Sequence, residues 1–402
     1  VSNTLLTIDM ITREALRLAH EKATFIGTIN RQFDESFGEA GAKIGDTLRI
    51  RIPSQYSRRT GTRVMDVQDS AQQSTALTVA TQDGVDMRFN SRELALDLDE
   101  FSKLHLEPAM ATLVSNIDSD VLQGCTKSTF NFAGTAGTAV SSLTAPGQAR
   151  TRLNENLAPK NSRSIQINSA TMQQIVSGTA AYFNPSGAIS EQFREGLVAR
   201  TAMADYYENE RVWSMANTTS VTLSTAKMNG YISTAGQTSL NISLLTVSSA
   251  GVGMKFTLAN VFDVHPETKQ TYAQLKQFTV VGVTDVSTYT ISPAVYISGP
   301  RQNVGGIGAS TSTQALTWLG SPNSTYALGL MYHKDAFTFA TAALPLMADA
   351  AKCVRKSYDG LSLRVWQASD IRNDELLTRI DILYGFAAIR PAWACAVVGA
   401  SA

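Results

Sequence analysis

The sequence predicts an α+β fold with an all-β module set into its second half. Three observations carry this. Between Leu94 and Gly124, residues Leu106, Met110, Leu113, Val114, Ile117 and Val121 recur at three- and four-residue steps, the apolar face of a long helix. On either side, period-two alternation marks strands at Thr47–Ile52, Ser74–Val79 and Val85–Phe89, and again at Leu361–Gln367 and Leu377–Gly385. From Ser214 to Leu330 only Lys227, Lys255, Asp263, Glu267, Lys269, Lys276, Asp285 and Arg301 are charged, where the chain's 17% would give about twenty. That stretch is a different kind of structure.

In chain order, residues 1–37 read as an N-terminal arm. Ile8, Ile11, Ala15 and Leu18 form a short amphipathic helix after Thr7, and its apolar face needs something to dock on. Residues 38–93 hold the first strands. Between them lies the polar run PSQYSRRTGTRVMDVQDSAQQ, which has almost nothing to bury. It reads as a projecting two-stranded arm. An isolated hairpin is marginal in water, so the arm is expected to draw stability from a neighbouring chain.

Residues 94–128 carry the long helix. The expectation is a short helix near Asp97–Leu104 and a main one from about Pro108 to Leu122, with Gly124 as the stop. Pro108 either opens the main helix or kinks a longer one, because it lacks a backbone donor. Asn116, Asp118 and Asp120 lie largely off the apolar face.

Residues 129–217 look like mixed body. A strand is expected at Ser164–Asn168, a helix at Ser169–Tyr182 capped by Ser169, a helix at Ile189–Val198 and a strand at Tyr206–Trp213. Residues 218–321 form the charge-poor module, with strands at Ser220–Leu223, Asn241–Val247, Met254–Val261, Gln277–Val283 and Tyr289–Ile297. Short strands separated by Gly, Ser and Asn predict an antiparallel sandwich or small barrel. Residues 322–402 return to the body, with strands at Ala327–Tyr332 and Ala336–Ala342 and an apolar C-terminal strand that closes a sheet built from earlier segments.

Several function classes are disfavoured. The chain has 402 residues, enough for two or three domains, and a formal net charge of zero. No basic excess advertises nucleic-acid recognition. No apolar run reaches membrane-spanning length, and Asp9, Arg13 and Glu14 interrupt the N-terminal apolar pattern where a signal peptide needs continuity. Cys125, Cys353 and Cys395 read as free thiols in a reducing compartment. His20, His105, His265 and His333 are scattered, with no metal spacing. Gly305-Gly306-Ile307-Gly308 lacks the Lys-Ser/Thr of a phosphate loop and reads as a connector. Asp97, Asp99 and Glu100 suit a helix start. No nucleophile elbow is present. The expectation is a protein without catalytic, cofactor or metal residues. Arg58, Arg59 and Arg63 cluster at the arm's presumed tip, either as a solvated loop or as contacts to carboxylates of a neighbouring subunit.

These features, in this order, resemble one family across essentially the whole chain. The residues carrying the likeness are the terminal ILYGFAAIRPAWACAVV, the HPETKQ and QLKQFTVV segments, ISPAVYISGP, and MYHKDAFTFATAALP. They resemble the major capsid (coat) proteins of tailed bacteriophages, with the Hong Kong ninety-seven-type fold. Within that family the likeness is to the Salmonella phage P-twenty-two coat branch, which carries an inserted β-barrel. The resemblance implies an N-arm (1–37), an extended E-loop with its strands (38–93), a spine helix of the peripheral domain (94–128), peripheral and axial body (129–217 and 322–402) and an inserted domain (218–321). It implies a virion shell of hexamers and pentamers, assembled in the host cytoplasm with a scaffolding protein. The other partners it implies are a portal at one vertex, packaged double-stranded DNA and a decoration protein. The family's scaffolding contact falls near Asp9, and Pro108 becomes a candidate bend in the spine. A nanocompartment shell enclosing cargo enzymes is the alternative on the same fold.

The sequence departs from some relatives. No lysine occurs between Lys43 and Lys103, so an isopeptide cross-link from the E-loop is chemically unavailable. The Lys227–Ser239 stretch, matching an acidic intercapsomer loop of the branch, contains no carboxylate.

Overall fold

The computed structural model describes residues 8–32, 47–59, 61, 65, 73–90, 105–179, 204–217, 227–228, 235–243, 251–285, 287–306, 314–346, 352–358, 361–370 and 372–401. The expected helices near 97–104 and at Ile189–Val198, and the expected strand at Ser220–Leu223, lie outside them.

Among the described residues there are four α-helices: α1 (Ile8–Lys22), α2 (Glu107–Ser128), α3 (Thr144–Glu155) and α4 (Ser169–Thr179). The strands begin with β1 (Thr47–Ile52), β2 (Gln73–Thr78), β3 (Thr81–Asn90), β4 (Phe132–Ala133), β5 (Arg163–Ile167), β6 (Asp205–Glu208) and β7 (Trp213–Asn217). The charge-poor stretch supplies β8 (Lys227–Met228), β9 (Gln237–Ser243), β10 (Lys255–Val264), β11 (Thr271–Val283), β12 (Thr288–Val295), β13 (Val304–Gly305) and β14 (Leu316–Trp318). The chain ends with β15 (Ser324–His333), β16 (Phe337–Ala342), β17 (Lys352–Tyr358), β18 (Leu361–Asp370), β19 (Glu375–Ala388) and β20 (Ala394–Ser401).

The chain divides into two compact units. The first combines Val1–Ile50, Ser74–Val121 and Phe337–Ile389. Its sheet runs β16-β19-β18-β17, with β3 also paired to β19 along a ten-residue antiparallel register from Asn90–Glu375 to Thr81–Tyr384. The expected docking of the N-terminal helix occurs within the chain itself. α1 lies against β17 and β18 and buries Ile11, Ala15, Leu18 and Ala19. The strands that flank the polar run are anchored too: Ile50 and Leu77 share a core with Ala340, Ala342 and Leu383.

The second unit combines Arg51–Gln73, Leu122–Ala336 and Arg390–Ala402. One sheet runs β4-β20-β15-β5-β6, with β7 also on β15. The apolar C-terminal strand does close it: β20 pairs antiparallel with β15 and parallel with β4. α3 packs against β20, β4 and β15, placing Ala149 and Leu153 in a core with Ile165, Ile167, Met331 and Val397. The charge-poor stretch forms a second, antiparallel sheet in the order β13-β10-β11-β12-β9-β8, with β14 also on β10. Its core is its own, from Leu240 and Ile242 through Phe256, Phe278 and Tyr289 to Trp318. Among the described residues its outer strands, β13 and β8, do not pair with each other.

Some expectations need correction. The segment Tyr206–Trp213 is not one strand. Asn209 breaks it, because its side-chain oxygen accepts from Arg211 N–H at 3.0 Å while its own N–H donates to Ile167 O. The side chain capping α4 is Asn168, which accepts from Thr171 N–H at 3.1 Å; Ser169 instead donates to Glu210. α2 does not stop at Gly124. It continues to Ser128 because Cys125 is buried and Thr126 and Ser128 hydroxyls bond back to the preceding turn. α3 and β17 had no periodic signal strong enough to expect them.

Candidate functional site

α2 is held by groups from other parts of the chain at two points along its length. Met110, Leu113, Val114, Ile117, Val121 and Leu122 are buried along one face, as the three- and four-residue spacing requires. Two charged groups then fix it at different points.

The first is Asp118, assigned to the polar face by spacing but fully buried. Its Oδ1 accepts from the N–H groups of Phe25 (3.0 Å) and Ile26 (3.1 Å), and its Oδ2 accepts from the Thr24 hydroxyl (3.0 Å). The carboxylate supplies acceptors to the turn that follows α1. Leaving those backbone donors unpaired in the interior would cost about 1–3 kcal/mol each. Two residues on, Asp120 of α2 approaches the Tyr384 hydroxyl at 3.4 Å, and Asp83 of β3 approaches it at 3.0 Å. Burial and the two carboxylates push the Tyr384 pKa up.

The second is at the helix end. Its last carbonyls lack intrahelical donors, as at any helix C-terminus. Side chains of the charge-poor sheet supply them. Lys255 Nζ donates to Thr126 O at 3.1 Å and to Thr129 O, and Thr279 Oγ1 donates to Lys127 O at 3.1 Å. Just beyond, Gln277 accepts from Phe132 N–H at 2.8 Å and donates to Phe132 O at 2.9 Å. Lys127 lies over the Trp213 ring, and Lys276, paired with Asp263 at 2.7 Å, lies over Phe130. Burial lowers the Lys255 pKa to about 7 and raises that of Cys395 to about 12. No sequence periodicity pointed to Lys255. The available signal was a lysine standing in an apolar strand, KFTLANVF.

Of the candidate contact residues, Arg58 and Arg59 are exposed on the chain that follows β1. Tyr56 and Met65 are exposed nearby, at 60% and 80%. Arg63 lies outside the described residues. Ile52, Pro53, Gln55 and Gln73 line a cavity of about 240 Å³ with Tyr296 and Arg301, whose guanidinium lies 4.2 Å from the centroid of the Tyr296 ring. Asp9 falls in the first turn of α1, and its side chain lies outside the description. Pro108 is the second residue of α2, and His105 and Leu106 just before it are π-helical. The structure does not bring these candidates together into one site. Among the described residues, no three His, Cys, Asp or Glu side chains converge to hold a metal ion, and no helix is long and apolar enough to cross a membrane.

The family model described as P22 coat protein, gene protein 5, matches residues 35–399. The chain belongs to that coat-protein family. The coat protein is thus a structural component of a phage capsid shell, located in the virion. Its α+β architecture is the Hong Kong ninety-seven-like capsid fold. Among solved structures it is similar to one from Mycobacterium phage Che8, with 10% identity, a TM-score of 0.50, and coverage of 93% of this chain and 90% of that one. At this identity the likeness speaks to fold alone. It is also similar to the CUS-3 coat protein I-domain (26% identity, TM-score 0.20, 25% of this chain and 99% of that one). A virus-like particle from Pyrococcus furiosus is similar at 8% identity and TM-score 0.38, over 97% of this chain and 98% of that one. No curated protein matches the sequence.

Proposed function

We propose that the coat protein assembles, with a scaffolding protein, into an icosahedral shell of hexamers and pentamers that encloses double-stranded phage DNA. The observation that carries this reading is the coat-family match over residues 35–399. Assembly takes place in the host bacterial cytoplasm, with a portal at one vertex, and DNA is held without sequence-specific contacts, in keeping with zero net charge. The division into N-arm, E-loop, spine, body and an inserted domain of about 218–321 belongs to the same reading, as does a decoration protein as a further partner.

The shell is non-covalent. The absence of lysine between Lys43 and Lys103 removes the amine an E-loop cross-link needs. Many weak contacts repeated around a closed lattice replace it. Exposed Arg58 and Arg59, with Arg63, pair with carboxylates of a neighbouring subunit. Asp9 contributes to the scaffolding contact. Pro108 lets the spine bend between capsomer states.

Cryo-EM of particles from coat and scaffolding proteins co-expressed together tests the whole reading. Closed icosahedral shells are expected, and small oligomers alone would overturn it. Shells that form without scaffold around a cellular enzyme would favour a nanocompartment. Replacing Arg58, Arg59 and Arg63 together with Ala is expected to lower particle yield and denaturant resistance. Unchanged yield and resistance would remove the arginines from the interface. If Pro108→Ala leaves assembly and expansion unaltered, the proline is only a helix start.

A further inference from the structure

The joint between α2 and the charge-poor sheet contains a lysine with no solvent exposure and, among the described residues, no carboxylate partner. The charged groups around it are otherwise engaged. On α2, Lys127 stacks on Trp213; on β11, Lys276 is paired with Asp263 of β10. On β20, Cys395 is the titratable group that acts on Lys255, and Cys395 in turn feels Arg152 and Glu155, paired with each other on α3. What favours the ammonium is the pair of carbonyls at Thr126 and Thr129 and the negative end of the helix dipole. What opposes it is complete removal from water.

We propose that Lys255 is a proton-sensitive latch that holds the charge-poor sheet on the C-terminal end of α2. The latch tightens as the ammonium gives up its proton. The neutral amine still has two hydrogens for the two carbonyls, so deprotonation keeps the hydrogen bonds while removing the buried charge. Opening the joint returns the side chain to water, where it binds a proton at its ordinary pKa of 10.5; closed, burial brings that down to about 7. The open state therefore binds more protons than the closed one between those values. Closure gains with rising pH across that window, by up to about tenfold per pH unit. Below about pH 7 both states are protonated and closure is weakest and flat. This inference is independent of the shell-assembly reading.

Hydrogen exchange of the full-length subunit tests it, with rates corrected for intrinsic pH dependence. Peptides covering Leu122–Ser128 and β10 are compared at pH 7.5 and 8.5, with β18–β19 as the internal control. Protection of the two joint peptides is expected to rise severalfold with pH while the control stays level. In Lys255→Met the rise is expected to vanish. Equal protection of the wild-type joint at both pH values would overturn the latch, as would the same rise in Lys255→Met. A variant that merely loses protection, without any slope in the wild type, leaves Lys255 a plain structural cap and overturns it too. Should Lys255→Met fail to fold, the wild-type slope against its β18–β19 control still decides.

Discussion

Asp118 and Lys255 make α2 a comparison within one helix. Both are wholly buried ionisable groups that bond to backbone, Asp118 to the N–H groups of Phe25 and Ile26 and Lys255 to the carbonyls of Thr126 and Thr129. Their signs are reversed for a reason. Asp118 faces a turn whose N–H groups need an acceptor, whereas Lys255 faces a helix end whose carbonyls need donors. The lesson is that a helix face read as polar or apolar from spacing says nothing of what backbone it meets. A charge can be buried without a salt bridge wherever the chain leaves several like backbone groups unpaired.

The strongest way to break this comparison is to remove the acceptor. Asp118→Ala strands the N–H groups of Phe25 and Ile26, and a loss of about 4 kcal/mol is expected in urea unfolding of the free subunit. Asp118→Asn retains one acceptor oxygen and is expected to cost about half as much. At the other end, Gln277→Ala removes both bonds to Phe132 and is expected to cost about 2 kcal/mol by the same measurement. Thr279→Val keeps the shape but leaves Lys127 O one donor short, with about 1 kcal/mol expected from thermal unfolding. The smallest effect sharpens the contrast with solvent-facing charge. Arg17 pairs with Glu14 on α1 at 2.7 Å but is 60% exposed, and Arg17→Ala is expected to change stability by less than about 0.5 kcal/mol. An Arg17 effect as large as that of Asp118 would mean that burial is not what separates them.

Much of the fold was legible because periodicity reports which face is covered. The six spaced residues from Leu106 to Val121 gave α2, and alternation gave β1, β18 and β19. The low charge of 214–330 located a sheet with its own core, although not its strand order. Failures came where a side chain answers to backbone that is distant in sequence. Gly124 looked like a stop, but the helix runs on past it, and Lys255 and Thr279, more than a hundred residues later, also donate to the carbonyls at its end. Ser169 looked like a cap, but Glu210 occupies it. α3, TAPGQARTRLNE, has proline and glycine in its first turn and carries few large apolar residues, so its burial of Ala149 and Leu153 left little trace. Arg58 and Arg59 were legible as exposed residues of a polar run, but a run without periodicity carries no signal of what it meets.

The exit and return of the charge-poor sheet have a consequence for how such a chain can change. β7 and β15 pair antiparallel, Asn217 opposite Ser324, and Asn217 also clasps the carbonyls of Leu319 and Gly320. From the standpoint of the β7–β15 ladder, everything between is the loop of one hairpin. Lengthening a loop is inexpensive, about 0.6 kcal/mol for each doubling. A lineage could therefore acquire, enlarge or exchange this sheet by recombination at one stitched point, with the ladder's register untouched. What such an exchange could not carry over for free is the end of α2, which any replacement would have to supply with donors of its own.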